Sequence, residues 1–135
     1  MRMIFVNLPV KDLKASMAFF EAIGFTNNPQ FTDDTAACMV VDQNIFVMLL
    51  THAKFEGFLT QPISDAHKTT EVLTCLSCAS REEVDDTLAK ALAAGARPWM
   101  PTFDMGPMHG ASFQDPDGHV WELMYMDMSA MPPQA

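Results

Sequence analysis

The chain has 135 residues, 49% of them hydrophobic, which allows one compact domain or two small fused modules and argues against disorder. Its net charge of −9 argues against nucleic acid and anionic membrane surfaces as partners. No stretch reaches the roughly 20 apolar residues of a membrane span. The N-terminal run MIFVNLPV is too short for a secretory signal, and three cysteines, an odd number, fit a reducing cytoplasm better than a disulfide framework.

MIFVNLPV reads as a strand. Asp12 is placed to cap the helix that follows, LKASMAFFEAI, in which Leu13, Met17 and Phe20 share a face widened by Phe19 and Ile23. Gly24 ends it. PQFTDD, AACMVV and IFVMLLT are read as three strands, the last two joined by the turn DQN. Residues 52–70 form a linker with a short helix around AKFEGFL. Its Phe55, Phe58 and Leu59 are expected to pack on a dimer partner or a pocket mouth.

The second half repeats this order. EVLTCLSCA is a strand, and Ser80 and Glu83 have the spacing of a capping box. Val84, Leu88, Ala91 and Leu92 form the apolar face of the next helix, which Gly95 closes. ARPWMPTF, GASFQD and HVWELMYM are the remaining strands. The turn DPDG occupies the place that DQN holds in the first half. Each half is therefore strand–helix–strand–strand–strand, at an offset of roughly 71 to 75 residues. The predicted fold class is α+β: two tandem β-α-β-β-β modules forming a cupped mixed sheet around a cleft. One module alone has too little surface to bury, so two must associate. Their bounds are about 3–51 and 71–127, with a tail at 128–135 that is disordered or lies on a partner subunit.

Strict alternation along the last strand sets Val120, Glu122 and Met124 on one face and Trp121, Leu123 and Tyr125 on the other. The aromatic set suits a helix, so Glu122 looks into the cleft. There a carboxylate can act as a general base, bind a polar group of a ligand, pair with Arg97 or another base, or be structural. Cys75 and Cys78 make a C-x-x-C, but on a strand they point to opposite faces and cannot grip one metal. His109, in the segment DMGPMHGAS, is a second candidate for proton transfer. His52, His67 and His119 read as surface or capping groups. Twelve methionines, among them Met105, Met108, Met124, Met126, Met128 and Met131, fill core gaps and suit an adaptable pocket wall.

The duplicated modules, together with LPVKDLKASMAFFEAIGF and FQDPDGHVWEL, resemble the vicinal oxygen chelate superfamily, which includes glyoxalase I, extradiol dioxygenases, and the bleomycin and fosfomycin resistance proteins. The resemblance covers about residues 3–127. It implies a site at or near a homodimer interface, where a divalent ion held by one ligand on each of four strands acts as a Lewis acid. Glu122 is the only retained family position. The first-strand position is Phe5, or Asn7 on a slip; the fourth-strand position falls at Val47, Met48 or Leu49; the fifth-strand position is near Thr74. None of these suits a hard cation, so no metal or other cofactor is expected, and a divalent metal is the disfavoured alternative. The reading is a cytoplasmic homodimer that takes a small apolar molecule at a degenerate, metal-free site lined by Phe5, Asn7, Met48, Thr74, Trp99 and Met108. Two alternatives stand beside it: a metal-dependent lyase or dioxygenase, and a non-catalytic drug-binding protein.

Overall fold

The computed structural model describes residues 1–130. The first half runs β1 (Ile4–Val10), α1 (Leu13–Ala22), β2 (Thr26–Asn28), β3 (Ala36–Asp42) and β4 (Ile45–Thr51). A short helix α2 (His52–Glu56) opens the linker. The second half runs β5 (Leu73–Ser77), α3 (Arg81–Ala93), β6 (Arg97–Pro98), β7 (Phe103–Met105), β8 (Met108–Gln114) and β9 (Val120–Met126). The strands form two sheets, β1-β4-β3-β2 and β5-β9-β8-β6, with β7 also paired to β8. Both are mixed: β1 runs parallel to β4 and β5 parallel to β9, while the other pairs are antiparallel. Parallel neighbours need a crossover, which the rest of each module, including its helix, supplies.

Both helix starts follow the capping logic. The Asp12 carboxylate accepts from Ala15 N at 3.1 Å. Ser80 Oγ accepts from Glu83 N at 3.0 Å, and Glu83 Oε2 accepts from Ala79 N at 2.9 Å, one residue earlier than a standard capping box would take it. Three expectations are corrected. PQFTDD is not a strand: Pro29–Phe31 is a 3-10 turn, its fixed proline φ favouring the turn, and β2 lies just before it. ARPWMPTF is broken into β6 and β7, because residues 99–102 leave the edge of β8 and return. Leu92, expected on the buried face of α3, is 38% exposed.

The two modules share one core. Phe19 and Phe20 of α1 reach across to the second sheet, with ring centroids 6.1 Å from Phe113 and 5.4 Å from Trp121. Phe25 is a second aromatic neighbour of Trp121, at 5.8 Å. Phe20 and Trp121 are fully buried, so truncating either to alanine costs about 3–5 kcal/mol. Strand residues divide by alternation. Val10, Ala37, Met39, Val47, Leu49, Ala111, Phe113, Trp121 and Leu123 enter this core. Their neighbours, from Phe5 to Met124, lie on the opposite, open face of each sheet and take no part in it. Among the described residues no helix is long and apolar enough to cross a membrane.

Candidate functional site

Glu122 sits in the middle of β9 on the open face of the second sheet, as alternation predicts. The ladder sets Cys75 beside it on β5 and Ser112 beside it on β8. It is half-buried, and among the described residues it forms no ion pair, with Arg97 or any other base. Ser112 Oγ accepts from Met100 N at 3.0 Å, which ties the loop carrying Trp99 to this face. Met108 and Gly110 continue the same face along β8. A Cβ at Gly110 would lie 2.6 Å from the Phe103 ring and 3.1 Å from Met124 Cε, so glycine is what lets this ring close over the sheet. Burial pushes the Cys75 thiol pKa up, and the Glu122 charge adds to the shift, so Cys75 stays protonated at neutral pH.

The other expected contact residues divide between two places. Phe5 and Met48 lie on the open face of the first sheet, with Phe5 stacked on Phe46 at 4.8 Å and Met48 paired to Asn7. Thr74 is next to Trp121, on the opposite side of the strand from Cys75, so the β5 residue that accompanies Glu122 is Cys75. Asn7 and Thr74 both line a cavity of about 510 Å³ beneath the linker. Phe55, Phe58 and Leu59 line the same cavity, which accounts for their apolar character. His109 is elsewhere. It pairs with Tyr125, on the helix-facing side of β8, and its Nε2 donates to Asp85 Oδ1 of α3 at 2.8 Å. Its Nδ1 is buried without a hydrogen-bond partner, 3.8 Å from Asp104 Oδ2.

The turn before β9 has a structural task that spacing did not reveal. Asp115 is 2% exposed. Its Oδ1 accepts from Asp117 N and His119 N, and its Oδ2 from Trp121 Nε1, each at 3.0 Å. The turn so shaped reaches back to the first module. Asp117 Oδ1 accepts from Lys11 N at 2.8 Å, and His119 Nε2 donates to the Pro9 carbonyl at 2.8 Å. Gly118, at φ +89°, lies against the linker: a Cβ there would come within 2.8 Å of His67 N. The DPDGH segment is thus a clamp between modules and linker. An aspartate followed by two near backbone donors and an indole was the available signal.

A divalent ion, which the resemblance implies, does not fit these residues. Among the described residues no three His, Cys, Asp or Glu side chains come together as a ligand set. The neighbours of Glu122 are a protonated thiol, a hydroxyl already engaged and a thioether, while the first sheet offers Phe5, Phe46, Met48 and the amide of Asn7.

Comparison with known proteins agrees with this architecture. The hypothetical protein SA1046 from S. aureus superposes with a TM-score of 0.78 at 28% identity, covering 93% of this chain and 94% of its own. A glyoxalase/bleomycin resistance protein/dioxygenase family enzyme from Burkholderia phytofirmans PsJN gives 0.77 at 17% identity, over 93% and 99%. The fosfomycin resistance protein FosX from Listeria monocytogenes gives 0.70 at 18% identity, over 96% and 97%. No curated protein matches the sequence. The family model described as Glyoxalase/Bleomycin resistance protein/Dioxygenase superfamily matches residues 2–123, nearly the whole chain, and the protein belongs to that superfamily.

Proposed function

We propose that this protein binds a small, predominantly apolar molecule on its open sheet faces, with Glu122 as the one anionic contact and without a metal held by the chain's own residues. The observation that carries this reading is the setting of Glu122. It is a half-buried carboxylate with no basic partner among the described residues, flanked by Cys75, Ser112 and Met124. A charge left unpaired in apolar surroundings costs stability, and recognition of a ligand's polar group offsets that cost.

The open faces also carry Phe5 and Leu73, each about half-exposed, with Phe46 and Met48 beside Phe5. Apolar strand residues in that number favour a second copy of the chain, and we assign a homodimer in which the open face of one protomer helps enclose the ligand of the other. Three free thiols suit a reducing compartment, the cytoplasm. Whether the ligand is held or converted depends on whether Glu122 only binds or also takes a proton. FosX is named for fosfomycin resistance, so an antibiotic-like ligand is one chemistry to include.

The experiment is a thermal-shift screen of planar and aliphatic apolar compounds on wild type and Glu122→Gln, with metal analysis of the purified protein and product analysis of every hit. Hits whose binding weakens about tenfold in the variant support the reading. Stoichiometric divalent metal, or hits indifferent to Glu122→Gln, overturn it. Product formation lost in Glu122→Gln makes the carboxylate a general base.

A further inference from the structure

We propose that the cavity beneath the inter-module linker is a separate binding site that takes an uncharged molecule with an apolar body and a hydroxyl or amide group. Its volume of about 510 Å³ lies within the range of small-molecule pockets. Pro9, Phe55, Phe58, Ile63, Val72 and Val120 supply apolar walls. Phe58 and Val72 are 70% and 62% exposed, an apolar rim that a seated ligand would cover.

The linker side of the lining carries the polar residues Thr60, Gln61, Ser64, Thr69 and Thr70, and the strand side carries two available polar groups. Asn7 and Thr74 come from β1 and β5, and among the described residues neither side chain is taken by a protein hydrogen bond; those nearby go through Thr51, Gln114 and His119. β1 and β5 are the edges of their sheets, bonded only to β4 and β9. Their outward backbone N–H and C=O groups therefore add donors and acceptors along both sides of the hollow. His119, also on the wall, uses Nε2–H on the Pro9 carbonyl, which in the neutral ring leaves Nδ1 as an acceptor.

Charge selects against ionised ligands. Among the described residues no Lys or Arg lines the cavity, and Glu71 is the only carboxylate. An anion would meet no counter-charge, and a cation would meet only one exposed carboxylate. Asn7 borders both regions, but Phe5, Met48 and Glu122 do not line the cavity, so loss of the Glu122 carboxylate leaves this site intact.

The test uses 2-naphthol, naphthalene and 2-naphthoate as probes, each titrated into isotope-labelled full-length protein and followed by amide chemical shifts. The expected result is saturable shifts in residues 6–8, 58–63 and 69–74 with 2-naphthol. Naphthalene should bind about fivefold more weakly, as loss of one hydrogen bond requires, and 2-naphthoate more weakly still. Asn7→Leu with Thr74→Val should reduce 2-naphthol to the naphthalene level. Ile63→Trp, in the linker and outside the core, should block all three probes, while Glu122→Gln leaves them unchanged. Shifts centred on Ser112, Glu122 and Met124, equal affinity for the carboxylate, indifference to the Asn7 and Thr74 changes, or no saturable shift would each overturn the proposal.

Discussion

Removing the Asp115 carboxylate tests whether the turn before β9 holds the molecule together. In Asp115→Asn the side chain keeps one oxygen for three donors. If that oxygen faces the Asp117 and His119 amides, the side-chain NH2 faces the Trp121 indole N–H, which loses its 3.0 Å bond. One buried unpaired donor costs about 1–3 kcal/mol, and the neutral amide is cheaper to bury than the carboxylate, so the net loss is about 1–2 kcal/mol. Asp115→Ala orphans all three donors and costs about 4 kcal/mol. Urea unfolding followed by Trp fluorescence measures both. Burial holds the Asp115 carboxyl above its ordinary value of 3.8, although the His119 charge and the Trp121 bond oppose this. As pH falls, the folded protein binds this proton before the unfolded chain does. The group's stabilisation is complete below pH 3.8 and is lost as pH rises through the folded value. The gap between wild type and Asp115→Asn should therefore widen from pH 7 toward pH 4. An Asp115→Ala variant within 1 kcal/mol of wild type, or a gap that narrows on acidification, would refute the argument.

Three further changes probe neighbouring parts. Gly118→Ala adds a Cβ at positive φ and within 2.8 Å of the linker backbone, so it should cost about 2–3 kcal/mol and speed proteolysis between residues 60 and 70. Linker cleavage at the wild-type rate would count against the clamp. Ser80→Ala removes the acceptor for Glu83 N and should lower stability by about 1 kcal/mol in the same urea assay. Glu122→Gln should accelerate alkylation of Cys75 at pH 8, by about twofold, because it removes the charge that adds to the burial shift. Cys78, pushed up to about 11 chiefly by burial, should stay unreactive in both proteins.

The duplication was legible because each helix announces itself twice, through a cap and through a stripe of apolar residues. Asp12 and Ser80 sit where the helices begin, and Phe19, Phe20, Val84 and Ala91 are buried. The face of Glu122 was legible for the same reason, since alternation separates it from Trp121 and Leu123. What escaped was register between strands distant in sequence. Alternation along β5 cannot say whether Thr74 or Cys75 stands beside Glu122; that follows only from pairing with β9. His109 read as a candidate for proton transfer because nothing in DMGPMHGAS points to Asp85 on α3, 24 positions away. The cavity under the linker was invisible as a volume, though Phe55, Phe58 and Leu59 signalled that something apolar had to be covered. Of the tail at 128–135, expected to be disordered or partner-bound, Met128–Ala130 form a short 3-10 turn, and residues 131–135, including Met131, lie outside the described residues.

The bonds from Lys11 to Asp117 and from Pro9 to His119 span 106 and 110 positions. A ribosome makes the chain in one direction, so Pro9 and Lys11 emerge more than a hundred additions before the groups that secure them. During that interval Phe19, Phe20 and Phe25 have no Trp121 or Phe113 to rest on. The nascent first half must therefore wait with the sides of these rings that meet the second half uncovered, although Phe20 and Phe25 stack on each other, which makes synthesis a stage at which this molecule is exposed to aggregation.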